Sequence, residues 1–334
     1  MVVWYPNPKD EEALRALSAR LPTGIRLARV RDDSCEVLIE GRPTAEMLDA
    51  CPNLRAVIVP FAGVPQATLE LVRRRNGITI HNLHHNAPET AELAVALLLA
   101  AAKRVVPMDA ALRKGDWRPR YQPDGTVSLE GKTALVLGYG EIGKRAARSL
   151  HCLGMSVIGV RKSPTGPNRD EVAEIRSASE LRKLLPQADV LVLCLPQTPE
   201  TDRLLGREEL SLLPRGAILV NVARATIVEE AALFEALSNG TLHSAGLDVW
   251  YRYPAPDERA IGIVPGYFEA PESAANTMPS SFPFHELENV VLSPHRAGAA
   301  LGTETRRAEH LAKLLEAAAA GRPIPNRVDL EAGY

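Results

Sequence analysis

Aromatic residues are scarce in this chain, at 4% of 334 positions. Cysteines number four, Cys35, Cys51, Cys152 and Cys194, and no two form a CxxC pair. That excludes a disulfide framework, and the four read as buried free thiols in a reducing compartment. Neither sign of charge prevails, with Lys plus Arg at 39, Asp plus Glu at 41 and a formal net charge of −2. A nearly neutral chain has no global pull towards nucleic acid or anionic lipid. Long hydrophobic runs are missing too: Ala94 to Ala102 falls well short of the roughly 20 residues that span a bilayer. The first residues lack a basic stretch and turn acidic at Asp10-Glu11-Glu12. No secretory signal is expected there, and the cytoplasm is the expected location. No repeat at a solenoid period is visible.

What is present is ordinary globular composition, 46% hydrophobic and 24% charged. The length suggests two domains, at about 150 residues each. In the first third, short β-branched runs at Val2–Tyr5, Glu36–Ile39, Leu54–Val59 and Ile78–Ile80 alternate with helical patterns near 10–20, 44–50 and 65–74. Pro88 with Glu89 and Glu92 suits the start of a long Ala/Leu-rich helix. Gly115–Leu129 has no period and reads as a loop or boundary. Beyond it the alternation resumes. Strands are predicted at 133–137, 156–160, 190–193, 217–220, 245–249 and 290–292, and helices at 141–153, 178–185, 228–237 and 301–319. Strands separated by helices imply parallel βαβ units covered on both faces. The segment Ala255–Pro283 stands apart, long and weakly patterned, as functional loops often are.

The strongest local signal is Gly138-Tyr139-Gly140-Glu141-Ile142-Gly143, placed between a predicted strand and an amphipathic helix. Glycines there permit a tight turn and close backbone approach, with a pyrophosphate on the helix N-terminus. An NAD-specific site places a carboxylate about twenty residues on, for the ribose hydroxyls. Here the strand ends instead in Arg161-Lys162-Ser163. Cations suit a 2′-phosphate, so NADP is favoured over NAD.

With Leu195-Pro196-Gln197-Thr198-Pro199-Glu200-Thr201, Asn221-Val222-Ala223-Arg224, Ala245-Gly246-Leu247-Asp248-Val249 and Ser293-Pro294-His295 added in that order, the chain resembles the D-isomer-specific 2-hydroxyacid dehydrogenases. The resemblance covers nearly the whole chain. It implies an α/β fold in which a Rossmann dinucleotide-binding domain, expected at 104–296, is inserted in a flavodoxin-like substrate domain, expected at 1–103 and 297–334, with parallel sheets in both. It also implies a homodimer and a small 2-oxo acid or D-2-hydroxy acid as substrate.

Residue by residue, the resemblance gives Arg224 as the group that binds the substrate carboxylate and polarises the ketone. It gives His295 as the acid/base. Asp248 matches a nicotinamide-carboxamide partner, and Val222 and Ala223 match backbone contacts to that ring. Leu195, Pro196 and Thr201 match the loop under the adenosine half. Phe61, Ala62 and Gly63 match a turn whose backbone N–H groups hold the substrate carboxylate, and Asn86 matches a position near the cleft.

Three departures stand out. The family's Glu partner of the catalytic His is Tyr253 here, which can orient the ring but carries no negative charge at neutral pH. Asp257, Glu269, Glu272 or Glu286 could substitute. Arg296 follows His295 directly, able to lower its pKa or meet an anionic substrate tail. Ala255–Pro283 is longer than usual and is expected to wall the substrate pocket. The neutral Tyr253 leaves open hydride transfer from formate or a phosphorus oxyacid, and a non-catalytic dinucleotide sensor is a further alternative. His81, His84 and His85 have no further ligands at suitable spacing and read as a polar loop, with no metal expected.

Overall fold

The computed structural model describes residues 1–8, 11–122, 125–164, 168–255 and 272–334. The chain divides into two compact units. The first contains Met1–Asn86 and Ala300–Tyr334. Its strands are β1 (Val2–Trp4), β2 (Arg26–Ala28), β3 (Val37–Ile39), β4 (Ala56–Ile58) and β5 (Thr79–His81). They form one parallel sheet in the order β2-β1-β3-β4-β5, the flavodoxin arrangement. Side chains alternate across it. Val3, Val37, Ile39, Ala56 and Ile58 face one core, where the closing helix Thr303–Ala319 adds Ala308, Leu311, Leu315 and Ala318. Trp4, Leu38, Val57 and Val59 face the other. Period-2 alternation with both faces buried is what continuous aliphatic strands dictate.

The second unit contains Ala87–Tyr253 and Thr277–Ala299. Its strands are β6 (Thr133–Leu137), β7 (Ser156–Arg161), β8 (Glu174–Ser177), β9 (Val190–Leu193), β10 (Ala217–Asn221), β11 (Leu242–Leu247) and β12 (Val290–Leu292). All pair in parallel, in the order β12-β11-β10-β9-β6-β7-β8. That is the doubly wound Rossmann order with one strand added. Leu135, Leu137, Leu191, Leu193 and Leu219 enter one core; Ala134, Val136, Val190, Val192, Ile218 and Val220 enter the other.

The long helix Ala87–Ala102 packs in this second unit, earlier in the chain than the seam expected at 103/104. Its small side chains permit close approach to β11: a Cβ on Gly246 would lie 2.7 Å from the Cβ of Leu97. The sequence pattern does not predict two of the four edge strands, β2 and β8, or the helices at Val105–Leu112 and Arg207–Leu212. His81 lies on β5 rather than in a loop, buried, with its ring against Pro325 O and Thr79 Oγ1. All four cysteines are free, but Cys152 is exposed at the end of its helix, contrary to the expectation of burial. Among the described residues no helix is long and apolar enough to cross a membrane.

Candidate active site

The glycine fingerprint sits where the second sheet reverses direction, at the carboxyl end of β6 between β7 and β9. Gly138 adopts φ +94, and a Cβ there would lie 2.6 Å from the backbone at Cys194 and Leu195. Only glycine meets both conditions. Gly143 lets the following helix, Glu141–Cys152, seat on the turn, since a Cβ would meet Gly138 O at 2.1 Å. Gly140 differs: a Cβ there meets nothing within 4 Å. The turn is therefore open on the side of its middle glycine. The amides of Glu141 and Ile142 begin the helix, where no preceding turn supplies acceptors. An open glycine beside a helix N-terminus is the shape and polarity that a dinucleotide pyrophosphate needs. These residues fit the cofactor.

Tyr139 turns away from that opening. Its ring is buried over Gly159 of β7, and its hydroxyl donates to Asp170 at 2.8 Å. At the end of β7, Lys162 is engaged with Glu200 at 3.3 Å. Arg161 makes no ion pair among the described residues, and Ser163 is exposed. The loop from Leu195 is folded by its own hydroxyls. Thr201 Oγ1 accepts from Thr198 N at 2.7 Å and donates to Pro196 O at 2.8 Å.

Arg224 and His295 lie on two turns beyond the carboxyl ends of β10 and β12. Asn221 closes the first turn. Its Oδ1 accepts from Ala223 N at 3.0 Å and its Nδ2 donates to Arg224 O at 3.0 Å. Val222 and Ala223 are buried in the bend. The Arg224 guanidinium donates once, to Ala223 O at 2.7 Å, and its other donors have no acceptor among the described residues. Burial pulls its pKa below the ordinary arginine value, yet a guanidinium stays charged in proteins.

His295 stands at φ +57, a left-handed conformation that costs an L-residue about 1–2 kcal/mol. Asp248, fully buried at the end of β11, holds this turn. It accepts from Ser293 Oγ and from Arg296 N at 2.8 Å through Oδ1, and from Ala297 N at 2.9 Å through Oδ2. Trp250 Nε1 adds a bond to Ser293 O at 2.8 Å. The imidazole is exposed, and its nitrogens have no hydrogen-bond partner among the described residues. Tyr253 packs against it with ring centroids 5.5 Å apart and the planes tilted by 54°. The Tyr253 hydroxyl accepts from Trp250 N at 3.1 Å, so its own proton remains to be donated. Surrounding protein atoms and the Arg224 charge pull the His295 pKa below 6.5, with Asp248 opposing them. Burial raises that of Tyr253.

Four expected residues, Arg224, Asp248, Tyr253 and His295, thus gather in the second unit. Of the carboxylates that could substitute for the absent Glu, Glu286 is exposed beside His285. Asp257 and Glu269 lie outside the described residues, as does most of Ala255–Pro283. In the first unit, Phe61, Ala62 and Gly63 follow β4. Their amides have no acceptor among the described residues, while Ala62 O and Phe61 O receive Asn82 Nδ2 and Leu83 N. Asn86 is half-buried at that unit's end. Asn221 and Ser293 stand within the motifs, but nothing in the sequence assigns them a role; the Asn221 amide works on backbone atoms of its turn and the Ser293 hydroxyl on the Asp248 carboxylate, which only geometry reveals.

A parallel sheet with an open glycine turn at its switch point, and a guanidinium and an imidazole at the ends of β10 and β12 on either side of β11, defines a dinucleotide-dependent oxidoreductase. Residues 95–297 match the family described as D-isomer specific 2-hydroxyacid dehydrogenase, NAD binding domain. A glyoxylate reductase of Thermococcus kodakarensis is 33% identical over 319 residues, covering 93% of this chain and 87% of the relative. A D-3-phosphoglycerate dehydrogenase of Mycobacterium tuberculosis is 32% identical over 332 residues, covering 99% of this chain and 55% of the relative. Among solved structures, a D-isomer specific 2-hydroxyacid dehydrogenase of Xanthobacter autotrophicus, in complex with NADPH and MES, superposes with TM-score 0.79 at 26% identity, over 100% of this chain and 99% of that one. The chain belongs to the D-isomer-specific 2-hydroxyacid dehydrogenase family, NAD(P)-dependent enzymes that interconvert 2-oxo acids and D-2-hydroxy acids.

Proposed function

We propose that this enzyme reduces a small 2-oxo acid of the glyoxylate or hydroxypyruvate kind with NADPH, as a cytoplasmic homodimer. The observation that carries the reading is Arg224, whose donors beyond the one given to Ala223 O face no acceptor among the described residues while its neighbour is His295. A planar fork of N–H groups matches the carboxylate and adjacent carbonyl of a 2-oxo acid in two parallel bonds. In the same grip the cation stabilises negative charge developing on the ketone oxygen. Reduced nicotinamide, when bound, supplies the hydride to C2. His295 in its imidazolium form donates the proton to that oxygen and is left neutral, and solvent reprotonates it. Tyr253 braces the ring, and its hydroxyl, which accepts from Trp250 N, keeps a proton to donate.

Phe61, Ala62 and Gly63 carry amides with no acceptor among the described residues, and with Asn86 they are read as substrate-side groups. Gly138, Tyr139, Gly140, Glu141, Ile142 and Gly143 form the pyrophosphate turn. Leu195, Pro196 and Thr201 lie under the adenosine, Val222, Ala223 and Asp248 beside the nicotinamide. Arg161, in no ion pair among the described residues, is the 2′-phosphate ligand, with Ser163 beside it, whereas Lys162 must first leave Glu200. For the homodimer, Val105, Val106, Leu112, Trp117 and Tyr121 expose large apolar surface on one short stretch, as an interface does.

The test is a panel of 2-oxo acids, each mixed with the protein and either NADPH or NADH, followed at the reduced-nicotinamide absorbance band. Turnover of a small 2-oxo acid with NADPH preferred is expected, and Arg161→Ala should weaken NADPH while sparing NADH. Tight cofactor binding with no turnover of any 2-oxo acid overturns the substrate reading; equal losses for both cofactors overturn the 2′-phosphate role.

A further inference from the structure

We propose that Asn82 and Asn326 are positioning residues for the turn Phe61-Ala62-Gly63: Asn326 clasps the backbone of Asn82, and the Asn82 side chain draws the Ala62 carbonyl inward, so that the N–H groups of Ala62 and Gly63 face outward to receive the substrate carboxylate. The inference rests on the reading of that turn as a carboxylate holder.

All of the contacts lie in the first unit. Asn82 follows β5 and is buried. Both of its backbone groups end on one residue, Asn326. Asn82 N donates to Asn326 O at 3.2 Å, and Asn82 O accepts from Asn326 Nδ2 at 3.1 Å. Asn326 stands at φ +56, a left-handed conformation that asparagine tolerates better than most L-residues. There its carbonyl and its side-chain amide reach the same partner. The chain on either side is seated too: Pro325 O meets the His81 ring at 2.8 Å, and Val328 N donates to Ile80 O at 2.8 Å. With its backbone held, Asn82 has its side chain left for the turn after β4, and Nδ2 donates to Ala62 O at 2.7 Å. Leu83 N, next along, donates to Phe61 O at 3.3 Å. The peptide units are trans and planar, so a carbonyl and the following N–H point in opposite directions. Drawing in Phe61 O turns Ala62 N–H out, and drawing in Ala62 O turns Gly63 N–H out. Neither N–H has an acceptor among the described residues. The same geometry keeps two carbonyl oxygens, which would repel an acid, off the outward side. The Phe61 ring fixes the turn from another direction, lying where a Cβ on Gly41 would stand.

Asn82→Ala removes the donor to Ala62 O and leaves the backbone clasp. Asn82→Asp keeps the shape but faces that carbonyl with an acceptor and adds a negative charge. Initial rates with the full chain give kcat and KM for a small 2-oxo acid, and NADPH Kd is measured by fluorescence quenching without substrate. The amides grip the carboxylate alike in ground and transition states, so KM should rise while kcat holds. Asn82→Ala is expected to raise KM about tenfold, as loss of one partly buried donor dictates. Asn82→Asp should raise it further, and NADPH Kd should not move in either. In parallel, the Ala62 and Gly63 amide signals are followed by NMR in protein labelled at alanine and glycine. Both should shift between wild type and Asn82→Ala without ligand, and both should shift in the wild type when oxamate, an inert 2-oxo acid analogue, is added with NADPH. Amide signals unmoved by Asn82→Ala overturn the clasp. Signals that move in the variant but ignore oxamate overturn the reading of the turn as a carboxylate holder, and the substrate role proposed for Asn82 with it. A lower kcat at unchanged KM overturns positioning in favour of a structural role. Should the Asn82 variants not fold, Asn326→Gly decides by the same measurements, since glycine keeps the left-handed backbone and only the side-chain bond is lost. A severalfold higher KM supports the proposal, and an unchanged KM overturns it. The amide signals need no turnover, so they test the clasp even in a protein that reduces no 2-oxo acid.

Discussion

The turn that carries Arg224 and the turn that carries His295 solve one geometric problem with different chemistry. In the first, Asn221 must satisfy one backbone N–H and one backbone C=O, and an amide offers one acceptor and one donor group in a single plane. In the second, three donors converge, and a carboxylate takes them all. The choice also separates the electrostatics. The permanent cation sits on a neutral clamp, while the titratable ring sits on a charged one. The pair shows what the N-x-x-R and L-D-V segments do in this chain: each couples a strand end to the turn that its polar residue closes.

The comparison is broken most severely at the reacting group. His295→Gln keeps a polar side chain on the clamped turn but cannot deliver a proton, and kcat for reduction should fall about 10²- to 10⁴-fold. Steady-state rates with saturating NADPH check it; a loss under threefold would mean another acid serves. Next is the neutral clamp. Asn221→Ala strands the buried Ala223 N–H and frees Arg224 O. A loss of about 1–3 kcal/mol in unfolding free energy is expected. Chemical denaturation measures it, and no change would show the amide to be dispensable.

The charged side can be sharpened by restoring the family's missing anion. The His295 pKa lies below 6.5 because of its crowded surroundings and Arg224. The imidazolium is the donor, so reductive kcat/KM should keep rising as pH falls through 6.5 and level off only below the folded-state pKa. Tyr253→Glu should move that midpoint up by about one unit or more, since an opposite charge favours the protonated ring. A pH–rate profile of both proteins tests this, and identical midpoints would show Tyr253 to be electrostatically equivalent to a carboxylate.

A separate effect lies in the first unit. His85 is buried beside Arg307 Nε at 3.2 Å, and burial with that charge brings its pKa down to about 3. Its folded pKa is below its unfolded value, so the unfolded chain binds the extra proton. Stability is therefore lost as pH falls from about 6.5 towards 3, at up to roughly 1.4 kcal/mol per pH unit. His85→Gln should flatten the slope of unfolding free energy against pH over that range; an unchanged slope would exclude His85 as its source.

Legibility in the sequence divides along similar lines. Strands such as Val190–Leu193 and Ala217–Asn221 are aliphatic on both faces, and burial on both faces leaves no polar position to confuse the pattern. The edge strands Arg26–Ala28 and Glu174–Ser177 carry charges because one side meets water, and the pattern predicts no strand there. The helix Val105–Leu112 buries none of its residues, so it has no amphipathic stripe. The helix Ala87–Ala102 is legible, but its assignment to the second unit depends on the close approach at Gly246, which composition does not encode. Arg224, His295 and the glycines are legible because their chemistry is in their side chains. Asn221 and Asp248 act on backbone atoms of left-handed or sharply bent turns, and Ser293 Oγ acts on Asp248; those contacts exist only once β10, β11 and β12 lie side by side.

Arg224→Lys, which keeps the charge and removes the planar fork, tests the central claim most directly. Initial rates against 2-oxo acid concentration, with NADPH Kd measured in parallel, should show KM for the acid raised about a hundredfold, as loss of a bidentate buried contact costs a few kcal/mol, and Kd for NADPH unmoved. Wild-type KM in the lysine variant would contradict the assignment of Arg224 as the carboxylate's anchor.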